Sequence, residues 1–157
     1  MALCRALEMS PNELLDGDAR RKFPSERSLL ERSRVFSGSP WEAEVGYCRA
    51  MRVGGRIEAA GTTAIRDGVV AHAGDAYRQT TVALSIIRAA IAELGGRMAD
   101  LTRLRIFVTD SALMPDVARA LAQGGFHDIL PVMTMVAVKG LIAPGLVVEI
   151  EAEAIMD

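Results

Sequence analysis

The chain has 157 residues, half of them apolar yet 4% aromatic, and a formal net charge of −2. That length fits one domain, with a core built from Ala, Val, Leu, Ile and Met. The charge balance and the absence of a basic stripe exclude an electrostatic case for nucleic acid or an anionic membrane, no apolar run approaches the ~20 residues that span a bilayer, and Cys4 and Cys48 make neither a disulfide framework nor a zinc motif.

Residues 1–34 are charge-rich and poorly periodic, and read as an N-terminal extension, mobile or docked on a neighbour, ahead of a domain over 35–157. Ser10-Pro11-Asn12-Glu13 has capping-box spacing and predicts a short helix through Leu14 and Leu15. The carboxylates Glu8, Glu13, Asp16 and Asp18 leave no secretory apolar stretch, so a cytoplasmic location is expected. Ser37-Gly38-Ser39-Pro40 is a loop. Tyr47 to Val53 reads as a strand, Gly54-Gly55 as a hairpin turn and Arg56 to Ala60 as the partner strand. Gly61-Thr62-Thr63 and a turn near Arg66-Asp67-Gly68 follow. Asp75 is placed to cap a helix on which Thr80, Ala83, Leu84, Ile87, Ala90, Ile91 and Leu94 recur at helical spacing, stopped by Gly95-Gly96. Leu104, Ile106 and Val108 alternate with Arg103, Arg105 and Phe107, as in a half-buried strand. Asp110 or Ser111 can cap a second helix through Val117 and Leu121, ended by Gly124-Gly125. Two apolar-rich strands, Leu130 to Val138 and Val147 to Ala154, complete the chain.

The order strand, strand, helix, strand, helix, strand, strand predicts an α+β fold, a single sheet with two helices on one face. On the last strand Val148, Ile150, Ala152 and Ala154 face one way and Glu149, Glu151 and Glu153 the other. Met133, Met135, Ala137 and Phe107 are expected to share the glutamate face with Arg103 and Arg105. Apolar side chains among ion pairs suit open solvent poorly, so further copies of the chain are expected to cover this face in a closed homo-oligomer.

Several segments then carry a resemblance: Gly46-Tyr47-Cys48-Arg49-Ala50 with Val53-Gly54, Ala60-Gly61-Thr62-Thr63, Asp75 through Gln79, Leu94-Gly95-Gly96, Phe107-Val108-Thr109-Asp110, Pro131, and Val148-Glu149-Ile150-Glu151-Ala152. In that order, from about Gly38 to Ile155, they resemble the RidA/YjgF family of reactive-intermediate deaminases, also described as endoribonuclease L-PSP proteins. The resemblance implies a chorismate-mutase-like fold and a homotrimer with small-molecule clefts between subunits. In active members of the family a Pro-Ala-Arg arginine grips the carboxylate of an imino or enamino acid. A glutamate on the last strand positions the water that attacks the imine carbon and releases ammonia. By resemblance the glutamate position falls on Glu149, the cleft tyrosine on Tyr47 and the glycine after the second strand on Gly61.

The arginine position falls on Met133, in Pro131-Val132-Met133, so the chain looks closer to a branch lacking that arginine. A charge-assisted hydrogen bond contributes roughly 1.5–3 kcal/mol and Arg can make two, so its loss weakens carboxylate binding at least ~10–100-fold. Arg49, two residues from Tyr47 on the expected strand, is a candidate to compensate. Thr62, Phe126, Met133, Thr134 and Met135 complete the candidate ligand contacts. Each has a plain structural alternative: a strand-face ion pair with Arg103 or Arg105 for Glu149, a turn role for Thr62 and Thr63, a loop anchor for Phe126, core or interface filling for Met133 and Met135. Cys48 reads as a small core residue. No metal-ligand spacing, phosphate loop or dinucleotide fingerprint occurs, so neither metal nor cofactor is expected. The expected function is hydrolysis of an imine, an enamine or a related C–N species, weak on simple imino acids. A non-catalytic small-molecule-binding trimer is the alternative.

Overall fold

A computed structural model describes residues 31–157; the expected helix through Leu14 and Leu15 lies outside the described residues. Six strands form one sheet: β1 (Arg32–Val35), β2 (Ala50–Val53), β3 (Arg56–Thr63), β6 (Leu101–Val108), β7 (Val132–Ala137) and β8 (Val148–Ile155). Their spatial order is β1-β2-β3-β8-β6-β7. A two-stranded ribbon, β4 (Ile65–Arg66) with β5 (Val69–Val70), leads to helix α1 (Ala76–Glu93). Helices α2 (Met114–Gln123) and the single turn α3 (Phe126–Ile129) connect β6 to β7. Every pairing in the sheet is antiparallel except β6 with β7, which the α2 crossover makes parallel. Among the described residues no helix is long and apolar enough to cross a membrane.

The expected order of the main strands and helices holds, with β1, the β4–β5 ribbon and the turn α3 added and with β2 and β7 shorter than expected. The sheet begins at Arg32, inside the segment read as an extension, because β1 pairs with β2 through Arg34↔Met51 and Val35↔Ala50. This strand carries two arginines and buries Val35 alone, so it has no alternating pattern to detect; charges on an edge strand also guard against unwanted pairing. The strand expected from Tyr47 starts at Ala50 instead, after a π-helical turn over Glu42–Gly46.

Ile57, Leu104, Ile106, Val108, Val148 and Ile150 are fully buried on one sheet face. Ile87 and Ile91 of α1 and Val117 and Leu121 of α2 pack with them in one core. Asp75 caps α1 by accepting from the Arg78 N–H at 2.9 Å, and Asp110 accepts from the Ala112 N–H to cap the 3-10 turn that opens α2. Beyond α1, Gly95 adopts a φ of +87°. A Cβ on Gly96 would stand 2.8 Å from Ile57 Cδ1, so the glycine pair both ends the helix and lets the chain pass close to β3.

The register of β7 overturns one expectation. Aligned residues of a parallel pair point to the same side, and β7 aligns Met133 with Leu104, Met135 with Ile106 and Ala137 with Val108. Met133, Met135 and Ala137 therefore lie on the helix-covered face. Val132, Thr134 and Val136 share the opposite face with Arg103, Arg105 and Phe107. Because β7 is apolar in both of its alternating sets, its sequence does not encode which set faces the core.

The loop before β8 is tied to α1 by Gln79, which is fully buried. Its amide donates to the carbonyls of His72 (3.1 Å) and Gly145 (2.7 Å) and accepts from the Val147 N–H (2.8 Å). Replacing Gln79 by Ala strands the Val147 N–H and takes one of two donors from the His72 and Gly145 carbonyls, which keep the Asp75 and Gly74 N–H groups; we expect a loss of about 1–3 kcal/mol in urea unfolding.

Candidate functional site

The sheet face away from the helices carries a lattice of ion pairs. Arg56 meets Glu58 at 2.8 Å and Glu153 at 3.2 Å, Arg105 meets Glu151 at 3.0 Å and Glu153 at 3.1 Å, and Arg103 approaches Glu153 at 3.8 Å. These side chains are partly exposed, so each pair is weak by itself, but together they neutralise two of the three stacked glutamates of β8. Glu149 joins no ion pair among the described residues. The register sets it beside Thr63 of β3 and Phe107 of β6 rather than an arginine. Burial, and then the negative charge of Glu151, push its carboxyl above the ordinary 4.5, with Arg49 partly offsetting them.

The surroundings of Glu149 depend on an irregularity in β3. Ala59 pairs with Ala152 and Thr62 with Ile150, so Ala60 and Gly61 together oppose Glu151. This bulge reverses the alternation of the strand. Thr62 turns inward and is 2% exposed, while Thr63 aligns with Glu149. Gly61 sits under the carboxylate, where an added Cβ would fall 2.0 Å from Glu149 Oε1. A side chain at position 61 and Glu149 in its present place exclude each other.

Arg49 sews the bulge together. Its Nη1 donates to the Gly61 carbonyl (2.8 Å) and to Thr62 Oγ1 (3.0 Å), and the Thr62 hydroxyl donates to the Ala60 carbonyl (2.7 Å). Arg49 Nε stands 4.0 Å from Glu42 Oε1, and both side chains are largely buried. Glu42 accepts from the Ser37 N–H (3.0 Å), the Ser37 hydroxyl (2.8 Å) and the Gly38 N–H (3.1 Å). Burial works against its charge, but those hydrogen bonds and then Arg49 outweigh it and hold the carboxyl below the usual range.

The candidate residues do not all converge. Tyr47 borders a concavity of about 910 Å³ on the open face, lined also by Phe36, Cys48, Met51, Arg105 and Glu151. Cys48 thus faces the concavity rather than the core, since the strand alternation expected there is absent. Tyr47 and Arg49 do lie together, with the guanidinium 5.9 Å from the ring centroid. Phe126 is buried in the core and Met135 is half-buried against it. Met133 is 51% exposed at the sheet edge, on the face opposite Glu149; Thr134 is exposed on the face that Glu149 shares. Glu42, missed in the sequence, matters here, and of the pair Thr62 and Thr63 it is the second that stands beside Glu149. Thr63 supplies the neighbouring hydroxyl position that Thr62 is expected to fill. Glu42 had one available signal, the capping-box spacing of Ser39-Pro40-Trp41-Glu42; its carboxylate caps Ser37 and Gly38 instead.

A half-buried carboxylate with a raised pKa can take a proton from water and return it. Among the described residues no cluster of His, Cys, Asp and Glu is arranged to hold a metal ion.

Comparison with known proteins adds a family. The profile of the Endoribonuclease L-PSP family matches residues 38–156. An uncharacterized protein of Streptomyces coelicolor is 39% identical over 121 residues, covering 77% of this chain and 90% of that protein. The crystal structure of a YjgF/YER057c/UK114 family member from Mycobacterium tuberculosis is 44% identical, covers 80% of this chain and 100% of that one, and superposes with a TM-score of 0.72. A protein of unknown function from Pseudomonas aeruginosa is 29% identical over 82% of this chain and 94% of its own, with a TM-score of 0.70.

Glu149 holds its proton more tightly in the folded than in the unfolded chain, so its contribution to stability falls as pH rises from the ordinary value through the raised native one. Glu149→Gln removes this penalty. Thermal unfolding is expected to show the variant more stable than wild type above that window, with the difference disappearing below pH 4.5. Glu42→Ala acts oppositely, stranding the Arg49 charge and two backbone donors; about 3–5 kcal/mol is expected to be lost in denaturant unfolding at neutral pH.

Proposed function

This chain belongs to the Endoribonuclease L-PSP family, the YjgF/YER057c/UK114 group, and on that premise we propose that it is a homotrimer with inter-subunit clefts that hydrolyses a small imine, enamine or related C–N species. The carrying observation is Glu149: a half-buried carboxylate, apart from the ion-pair lattice, lying against the backbone at Gly61. Glu149 takes a proton from water as the oxygen bonds to the imine carbon. Glu149 passes that proton to the nitrogen, giving the amino-alcohol adduct; it then moves the remaining hydroxyl proton to the nitrogen, the C–N bond breaks, and ammonia (or the tethered amine of an opened ring) leaves as the carbonyl forms.

Assembly is supported by what one chain leaves uncovered. Phe36 is 61% exposed, and Val132 and Val136 on edge strand β7 are 58% and 41% exposed; apolar groups in these positions favour burial by another subunit. Met133 and Glu149 sit on opposite faces of one sheet, which favours a cleft completed where two copies meet. Met133 brings polarisable apolar surface in place of a guanidinium, so the preferred substrate is less charged than a simple imino acid. The net charge of −2 and the neutralised arginines of the open face argue against RNA as substrate. The same Met133 favours the second reading, a trimer that binds a small molecule without turning it over.

Ammonia release should be measured on 2-iminopropanoate, and ring opening to the amino-carbonyl product on cyclic imines lacking a carboxylate. We expect turnover of a cyclic imine, little on 2-iminopropanoate, and a fall of about 10²–10⁴-fold in kcat for Glu149→Gln. A flat response across the panel, with one of the compounds still binding, would leave the binding protein. Light scattering is expected to report three times the 16.8 kDa chain mass; a monomer at micromolar concentration removes the clefts.

A further inference from the structure

Arg49 is expected from its spacing to reach a ligand, yet its side chain is turned inward and is 11% exposed. We propose that Arg49 is a positioning residue for Glu149, held in place by Glu42 and shaping the Gly61 bulge on which the carboxylate lies. The inference rests on the reading of Glu149 as the water-handling group.

The geometry is a relay of fixed contacts. The loop N–H groups of Ser37 and Gly38 hold Glu42, and Glu42 faces the Arg49 guanidinium at 4.0 Å. The Arg49 backbone is itself pinned: its N–H donates to the Val35 carbonyl, and its carbonyl accepts from the Ala60 N–H, both at 2.9 Å. The side chain then bridges to Gly61 and Thr62. Ala60, Gly61 and Thr62, the residues that break the β3–β8 register, are thus each bonded directly to Arg49. Two of those bonds use Nη1 alone, while Nε has no hydrogen-bond acceptor among the described residues, so the guanidinium is aimed by charge as well as by hydrogen bonds. Without the bulge, Gly61 would not lie beneath Glu149 and Thr63 would not stand beside it.

Arg49 also bears on Glu149 electrostatically. The charged groups acting on that carboxylate are Glu151 on its own strand and Arg49 from the segment preceding β2; the neighbours from β3 and β6 are the uncharged Thr63 and Phe107. Among the described residues Arg49 is therefore the one positive influence opposing burial and Glu151.

The test uses the full-length protein with Arg49→Gln and Arg49→Lys, and two readouts that do not require turnover. Carbon-13 NMR follows the titration of the Glu149 carboxyl, assigned by its loss in Glu149→Gln. Hydrogen exchange follows the amides from Ala60 to Thr63. In Arg49→Gln we expect the titration to move to higher pH and the bulge amides to exchange at least ~10-fold faster. Arg49→Lys keeps the charge and is expected to hold the titration near wild type, but to speed exchange because a single ammonium cannot reproduce the planar fork. Unchanged exchange in Arg49→Lys overturns the proposal even if Arg49→Gln fails to fold, and an unmoved titration in a folded Arg49→Gln overturns it as well. Absence of any imine turnover by the wild type defeats the reading of Glu149 as water-handling, whereas these two readouts decide whether Arg49 positions it.

Discussion

Between Ala59 and Thr62, β3 carries one residue more than its partner β8, and Arg49 binds the backbone on both sides of that excess. A regular strand would send alternate side chains to alternate faces through Thr63. With the bulge, Thr62 joins the core, Thr63 joins the glutamates, and a residue without a side chain lies where a carboxylate needs room. The environment of Glu149 follows from this local break in periodicity. Beneath it β6, from Arg103 onward, and β8 run in alternation against α1 and α2; a second register shift, between Leu101 and Arg103, lies at the far end of the pair from Glu149.

The two carboxylates connected through Arg49 experience opposite balances. Glu42 is the more buried, yet it accepts hydrogen bonds from backbone and hydroxyl donors and remains readily ionised. Glu149 is less buried, but no donor among the described residues repays the water it has lost, and Glu151 adds repulsion. Hydrogen bonds to the charged form, present at Glu42 and absent at Glu149 among the described residues, separate the two directions. Arg49 acts on both, adding to the Ser37 and Gly38 hydrogen bonds that keep Glu42 charged and limiting the rise at Glu149. Family membership is compatible with this site but does not specify it.

Much of the architecture was legible in the chain. Both principal helices, the cap of the first at Asp75 and the glycines that end them came from helical spacing and capping chemistry; Asp110 caps the 3-10 turn ahead of the second helix, whose own N-cap is Leu113. The alternation of Val148, Ile150, Ala152 and Ala154 with three glutamates set the faces of β8 correctly. So did the alternation of Leu104, Ile106 and Val108 with Arg103, Arg105 and Phe107 on β6. These elements are local or strongly two-sided, so their own residues reveal which side is buried. Ordered motifs also pointed to the family, and the profile match over residues 38–156 agrees with the resemblance.

Other features arose only through tertiary pairing. Edge strand β1 has too few buried residues to show a period, and β7 is apolar on both sides, so each takes its place from a neighbour. Met133 and Met135 accordingly moved to the helix face. Glu42, opening a π-helical turn, and Arg49, beyond its end, meet at 4.0 Å, a contact without periodic trace in the sequence. By itself the amino-acid sequence determined the helices, the two-sided strands and the family, because these depend on short-range spacing and burial. The tertiary structure decided the bulge, the orientation of Arg49 and the isolation of Glu149, because register and ion pairing depend on which strands lie side by side.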